Sequence, residues 1–264
     1  MKNLVITAGE SWTWGDSLSP ETREDKIYGK LIANNLDAEF INVAECGKSN
    51  SWILINLQKQ LNEIDFTKFK NIYIVCTFTE AGRDFHFKDS WLENYTLMYK
   101  DYLNNLNVEF YEKVINDTEN LWLQKLIEIT DNLPNNAKLF FGQNFAWNSN
   151  FFNHDYKNTI KLENTWIEVI AQKYNLHKPK RTKFVTGWIF EILDAINDIL
   201  CIEDKTIFKQ WCLDYIDPAN EVNTWFKDSP VNGSKYSKHP TELGHKIWSD
   251  YITDIICKRG GNNA

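Results

Sequence analysis

Two serines lie close together near the amino terminus, in the stretch LVITAGESWTWGDSLSP over residues 4–20. A serine hydroxyl is a weak nucleophile at its own pKa. It does chemistry only where a base takes its proton and hydrogen-bond donors receive the charge it creates. Leu4, Val5, Ile6 and Thr7 form a short run that ends near Gly9, which suits a strand buried on both faces. In an open parallel sheet, ligands bind beyond the carboxyl ends of the strands. Ser11 lies just past this strand, whereas Ser17 follows six residues later, after Trp12, Thr13 and Trp14. Position therefore favours Ser11 as the nucleophile.

The elements that would hold such a serine show in the periodicity of the chain. Ser19 and Pro20 mark a helix start, with Glu21 and Glu24 at the positive end of its dipole and Ile27, Leu31 and Ile32 as its apolar stripe. Residues 40–44 read as a second strand and residues 72–78 as a third. Between them Leu54, Leu57, Leu61 and Ile64 recur at steps of three and four, marking an amphipathic helix. A helix around Leu123, Leu126 and Ile127 and a strand over 138–141 continue the alternation expected of a parallel sheet covered on both faces. Beyond residue 145, the segments 166–174, 188–200 and 207–215 read as helices with no clear strand between them. The expected class is α/β with extra helices in the C-terminal half. The simplest division is a single domain over 1–264, with 146–230 a helical insertion or cap. After Pro240, Leu243, Ile247, Trp248, Tyr251 and Ile255 should form the inner face of a last helix packed on the sheet.

Several segments together resemble the SGNH, or GDSL-like, hydrolases. The family's first block has the form Gly-Asp-Ser-x-x-x-Gly after the first strand, and Gly9, Glu10, Ser11 and Gly15 fit it with one conservative change. The letters GDSL around Ser17 do not fit, because the template would then need glycine where Glu21 stands. In INVAECGKSN, Asn42 and Gly47 have the second block's spacing, in which the glycine N–H binds the oxyanion. The third block, Gly-x-Asn-Asp, is replaced by CTFTEAGRD, with Thr79 at the Asn position and Glu80 at the Asp position. Losing one oxyanion donor costs roughly 2.7 to 4 kcal/mol of transition-state stabilisation unless another group substitutes. The Thr79 hydroxyl and Arg83 are the substitutes in view. SKYSKHPTELGHKIW resembles the last block, Asp-x-x-His-Pro, and makes His239 the base. Tyr236 stands where that block has Asp, so the acid behind His239 is either Asp228 or none. His245, inside the helix, reads as structural.

The resemblance implies a three-layer α/β/α fold with a central parallel sheet, flavodoxin-like and of SGNH type. It also implies a serine esterase that works through an acyl-enzyme. Ser11 would attack and His239 would take its proton, while Ser11, Gly47 and Thr79 would hold the oxyanion. The expected substrate is an ester, acetyl or another short acyl group, of a carbohydrate or small molecule. An acyltransferase on the same machinery is one alternative, and a non-catalytic binding protein that kept the fold is another. Trp12, Trp14 and Trp52 lie near the proposed loops and read either as a binding face or as core.

Composition narrows the remaining choices. The chain has 264 residues and a formal net charge of −7, which argues against broad nucleic-acid binding, and the basic run HKPKRTK reads as a solvated loop. No stretch approaches the roughly 20 apolar residues of a membrane span. The five cysteines include no CxxC pair and suit a reducing compartment, so the expected location is cytoplasmic. His86, His154 and His177 form no metal-ligand spacing, and no Gly-rich phosphate loop occurs. Neither a metal nor a cofactor is expected, and the oligomeric state is open.

Overall fold

The computed structural model of the chain describes residues 1–16, 18–79, 84, 108–144, 150–173, 240 and 242–259. Five strands, β1 (Lys2–Ala8), β2 (Ala38–Asn42), β3 (Phe69–Phe78), β4 (Ala137–Gln143) and β5 (Thr159–Lys161), pair in the order β2-β1-β3-β4-β5. Every pairing is parallel. This is the flavodoxin-like order, in which the chain winds first to one side of β1 and then to the other. The reversal opens a crevice beyond the carboxyl ends of β1 and β3.

Side-chain alternation along the strands divides the core in two. Val5, Tyr73, Val75 and Phe140 face one layer, built from helices α3 (Tyr28–Asn35), α6 (Trp166–Lys173) and α7 (Glu242–Arg259). Leu4, Ile6, Ile72, Ile74, Leu139 and Phe141 face the other, built from α4 (Asn50–Glu63) and α5 (Val108–Asp131). Adjacent residues thus serve opposite faces, as the period of two requires. Both faces are covered, so β1, β3 and β4 are nearly uninterrupted apolar runs and the architecture is a three-layer α/β/α sandwich.

The sequence reading and the structure part at three places. The helix expected from Ser19 is broken into α2 (Arg23–Lys26) and α3, because Ile27 between them is extended, with φ −65° and ψ 145°. Ile27 is buried, so the kink places an apolar side chain that a continuous helix would aim elsewhere. On α7, Leu243 is 45% exposed, whereas Ile247, Tyr251 and Ile255 pack partly buried against the core as expected, and the fully buried row runs through His245, Trp248, Ile252 and Ile256. That row keeps the spacing of three and four, one register away from Leu243. Finally, β5 lies within 146–230 and adds an edge strand to the sheet. Three residues are too few to show a period of two, which is why the strand is silent in the sequence.

Candidate active site

Two residues, Gly9 and Glu10, separate the end of β1 from helix α1 (Ser11–Trp14). It is a single turn, capped at its start by the Glu10 side chain, which accepts from the Trp12 N–H at 3.2 Å. Gly9 makes the tight passage possible, since a Cβ there would lie 2.0 Å from Thr13 Oγ1 and 2.8 Å from Thr77 Oγ1. Those hydroxyls are 2.6 Å apart and tie α1 to β3, and the Tyr28 hydroxyl donates to Thr13 Oγ1 at 3.3 Å. Burial holds the Tyr28 phenol and the Cys76 thiol well above their ordinary ranges, so neither is a base near neutral pH.

The carboxyl edge is knitted together from three directions. After β2, Val43 N–H donates to Thr7 O at 2.7 Å and Glu45 N–H to Gly9 O at 3.3 Å, so this loop runs alongside the end of β1. Asn42 Oδ1 fixes its start by accepting from Thr7 Oγ1 at 3.0 Å and Ala44 N–H at 3.1 Å. Gly47 has φ +75°, and a Cβ there would meet nothing within 4 Å, so backbone conformation rather than crowding calls for glycine. From the far end of the loop, buried Asn50 reaches β3: its Oδ1 accepts from Thr79 N–H at 2.9 Å and its Nδ2 donates to Thr79 O at 3.0 Å. The segments carrying Ser11, Gly47 and Thr79 therefore meet at one edge. Asn50 thus occupies both the N–H and the carbonyl of Thr79.

Two side chains meet around Ser11, that of Glu10, which the sequence offers only as a conservative change for aspartate, and that of Asn144, which it does not single out. The Ser11 hydroxyl donates to Glu10 Oε2, and Asn144 Nδ2, at the end of β4, donates to Glu10 Oε1 at 2.5 Å. Asn144 is itself held by its backbone N–H, which donates to Phe78 O at 3.1 Å. Glu10 and Asn144 are fully buried, and Ser11 is 4% exposed. A buried carboxylate is tolerated where donors compensate its lost hydration, and these contacts supply them. The available signal for Asn144 was the change from Phe140 and Phe141 to Gly142, Gln143 and Asn144 at the carboxyl end of a buried strand, the sheet edge where ligands bind.

Other sites from the sequence reading fall as follows. Ser17, Glu80, Arg83, His86, His177, Asp228, Tyr236 and His239 lie outside the described residues. His245 is buried among Tyr28, Trp166 and Trp248, and its Nδ1 accepts from the Tyr28 N–H at 3.2 Å, a structural placement. His154 is exposed and sits edge-on to Tyr156. Trp12 belongs to the core, packed edge to face on Trp166 at 5.5 Å, which removes it from a binding face. Trp14 is half-buried beneath the Arg23 guanidinium at 5.2 Å. With Lys30, Phe40 and Asn42 it lines a cavity of about 470 Å³. Ser11, Gly47 and Thr79 are not among the described lining residues, and the cavity adjoins their edge through Trp14 and Asn42. Among the described residues no helix is long and apolar enough to cross a membrane.

No family model and no curated protein matches the chain. Solved structures that resemble it include a lipolytic protein of the G-D-S-L family and an SGNH hydrolase. A member of the lipolytic protein G-D-S-L family from Veillonella parvula is 10% identical at a TM-score of 0.39, over 97% of this chain and 99% of that one. A lipase/acylhydrolase from Enterococcus faecalis is 12% identical at 0.36, over 98% and 97%. A family two carbohydrate esterase from Clostridium thermocellum, solved with cellohexaose, is 12% identical at 0.37, over 98% of this chain and 65% of that one.

Proposed function

We propose that the chain is a serine hydrolase that cleaves a carboxylic ester, an acetyl or other short acyl group on a carbohydrate or small molecule. The observation that carries this reading is the Ser11 hydroxyl, placed beyond β1 at the switch point of the sheet and hydrogen-bonded to a buried carboxylate. Ser11 attacks the acyl carbon and forms an acyl-enzyme that water resolves. Its own N–H and that of Gly47, with the Thr79 hydroxyl, receive the developing oxyanion. His239, the histidine of the SKHP segment, takes the Ser11 proton and gives it to the departing alcohol, then takes a proton from the incoming water and returns it to Ser11. The burial of Ser11 supports a short acyl group over a long chain. The cavity beside Trp14, with its half-buried ring and mixed polar wall, suits the alcohol portion.

The chain is read as one domain in a cytoplasmic setting, with residues 146–230, which also supply β5 and α6, setting specificity. A second reading, a non-catalytic protein that keeps the fold, draws on the same 4% exposure, which restricts access to the hydroxyl. A small fluorophosphonate probe with peptide mapping separates the two. Modification at Ser11, lost in Ser11→Ala and kept in Ser17→Ala, is the expected result. A folded protein that no concentration of probe modifies would leave the binding protein as the better account.

A further inference from the structure

The cavity beside Trp14 brings two cations together at the edge of the candidate site. Arg23 of α2 and Lys30 of α3 both line it, and the Arg23 guanidinium lies over the Trp14 ring, 5.2 Å from its centroid. Among the described residues neither cation has a carboxylate within ion-pair distance, and Arg23 Nε is buried with no hydrogen-bond partner. We propose that this cavity is a subsite for a carboxylate on the alcohol portion of the ester, held by Arg23 and Lys30. The substrate class is then an acidic sugar or hydroxy acid acylated on a hydroxyl. The proposal rests on Ser11 being the nucleophile of an ester hydrolase and narrows what that hydrolase accepts.

Local electrostatics do not account for where these cations stand. Lys30 is in the first turn of α3, and the amino end of a helix favours anions over cations. Lys26, which lies between the two in sequence, does have a partner, Glu242 at 3.1 Å. Glu24 and Asp25 also line the cavity, but they are exposed, whereas Arg23, Lys30 and Trp14 are half-buried. The acids therefore stand at the rim, where water and salt screen them, and the cations lie deeper, where a ligand's charge is felt more strongly. Stacking on Trp14 also restricts the plane of the guanidinium, whose fork of N–H donors matches the two oxygens of a carboxylate.

Size and position suit the alcohol portion of a substrate held at Ser11. The cavity measures about 470 Å³, within the range of small-molecule sites. Trp14 lies three residues past Ser11 on α1, a rise of about 4.5 Å along the helix axis. Asn42 forms another part of the wall. Its Oδ1 is committed to Thr7 and Ala44, which leaves Nδ2 as the donor it can offer a ligand. Two cations opposed by two rim acids balance one added negative charge better than two, which favours a carboxylate over a phosphate dianion. The chain as a whole carries −7 and repels anions, so a preference for an acidic ester must come from this local pair.

Acetate esters of three matched sugars test the assignment: glucose, glucuronic acid and a phosphorylated glucose. Wild type should hydrolyse the glucuronic acid ester with a kcat/KM about tenfold or more above that of the glucose ester, the scale of one charge-assisted contact. Arg23→Gln and Lys30→Gln should each bring that ratio towards one, and Lys30→Glu should take it below one. Arg23→Lys keeps the charge without the fork and should retain part of the preference, with a melting curve showing that each variant is folded. Binding is read apart from turnover by calorimetric titration of Ser11→Ala with the same esters, where the acidic ester should bind about tenfold more tightly than the neutral one. If neither turnover nor binding distinguishes acidic from neutral, if both glutamine variants keep the wild-type ratio, or if the phosphorylated ester is preferred, the subsite assignment is overturned. Fluorophosphonate labelling of Ser11 would still stand for the hydrolase in each of those cases. If Ser11 is not labelled, the hydrolase reading falls, and the titration alone decides whether the cavity takes a carboxylate.

Discussion

Two buried regions of the molecule contain polar groups, and they use them differently. In the layer under α6 and α7, Trp166 and Trp248 stack at 5.5 Å with an interplanar angle of 8°, while Tyr28 and His245 complete the cluster. The polar atoms there serve packing: His245 Nδ1 takes the Tyr28 N–H, and Trp166 Nε1 donates to Gly244 O at 3.2 Å. At the carboxyl edge the polar groups are equally buried, but they form a connected set that ends on the Ser11 hydroxyl. Burial of polar groups therefore does not mark a reactive site by itself. What distinguishes the edge is its place beyond the strand ends and the chain from amide through carboxylate to hydroxyl.

Substitutions can test this contrast, beginning where the effect is largest. Ser11→Ala should abolish covalent labelling entirely while leaving thermal stability nearly unchanged, a combination read by mass spectrometry and a melting curve. In the aromatic layer the expectation reverses: Trp248→Ala should cost about 3–5 kcal/mol in denaturant unfolding, the usual loss for a buried large aromatic. Any activity of the folded fraction should persist. Tyr28 lies where the two regions touch. Because burial raises its pKa above the ordinary value near 10, the folded state holds a proton that the unfolded chain releases, so stability is retained below pH 10 and declines above it. Tyr28→Phe should reduce that alkaline decline by up to about 1.4 kcal/mol per pH unit, measured by urea titrations from pH 8 to 11. Asn50→Ala strips two partners from the Thr79 backbone and should cost about 1–3 kcal/mol. Smallest of all, Lys246→Ala removes an ion pair with Asp250 whose side chains are 63% and 54% exposed, and should change stability by less than about 1 kcal/mol.

The periodic elements were legible because repetition makes them so. Leu54, Leu57 and Leu61 announced α4, and all three are buried against the sheet. Residues 72–78 announced β3, which occupies Phe69–Phe78. The break at Ile27, the exposed Leu243 and the three-residue β5 were hidden because each depends on what lies opposite in the folded chain. At the site, Ser11 was legible from its place after an apolar strand. Glu10 was read as a plain substitute for aspartate, since the consequence of one methylene shows only when its contacts are known. Asn144, 134 residues away, carried no local signal connecting it to Glu10.

The alternation of β1 to β4 with α4 and α5, the buried runs of β1, β3 and β4, and the serine beyond the first strand's end follow from residue type and spacing alone. Those properties are local: a periodic side-chain pattern specifies the face it needs without reference to a partner. Which groups stand beside the serine was decided by tertiary structure. Parallel pairing aligns the ends of β1, β3 and β4, bringing a carboxylate from the first loop and an amide from the fourth strand onto one hydroxyl. Hydrogen bonds act over about 3 Å, and sequence distance has no bearing on which atoms the fold brings that close.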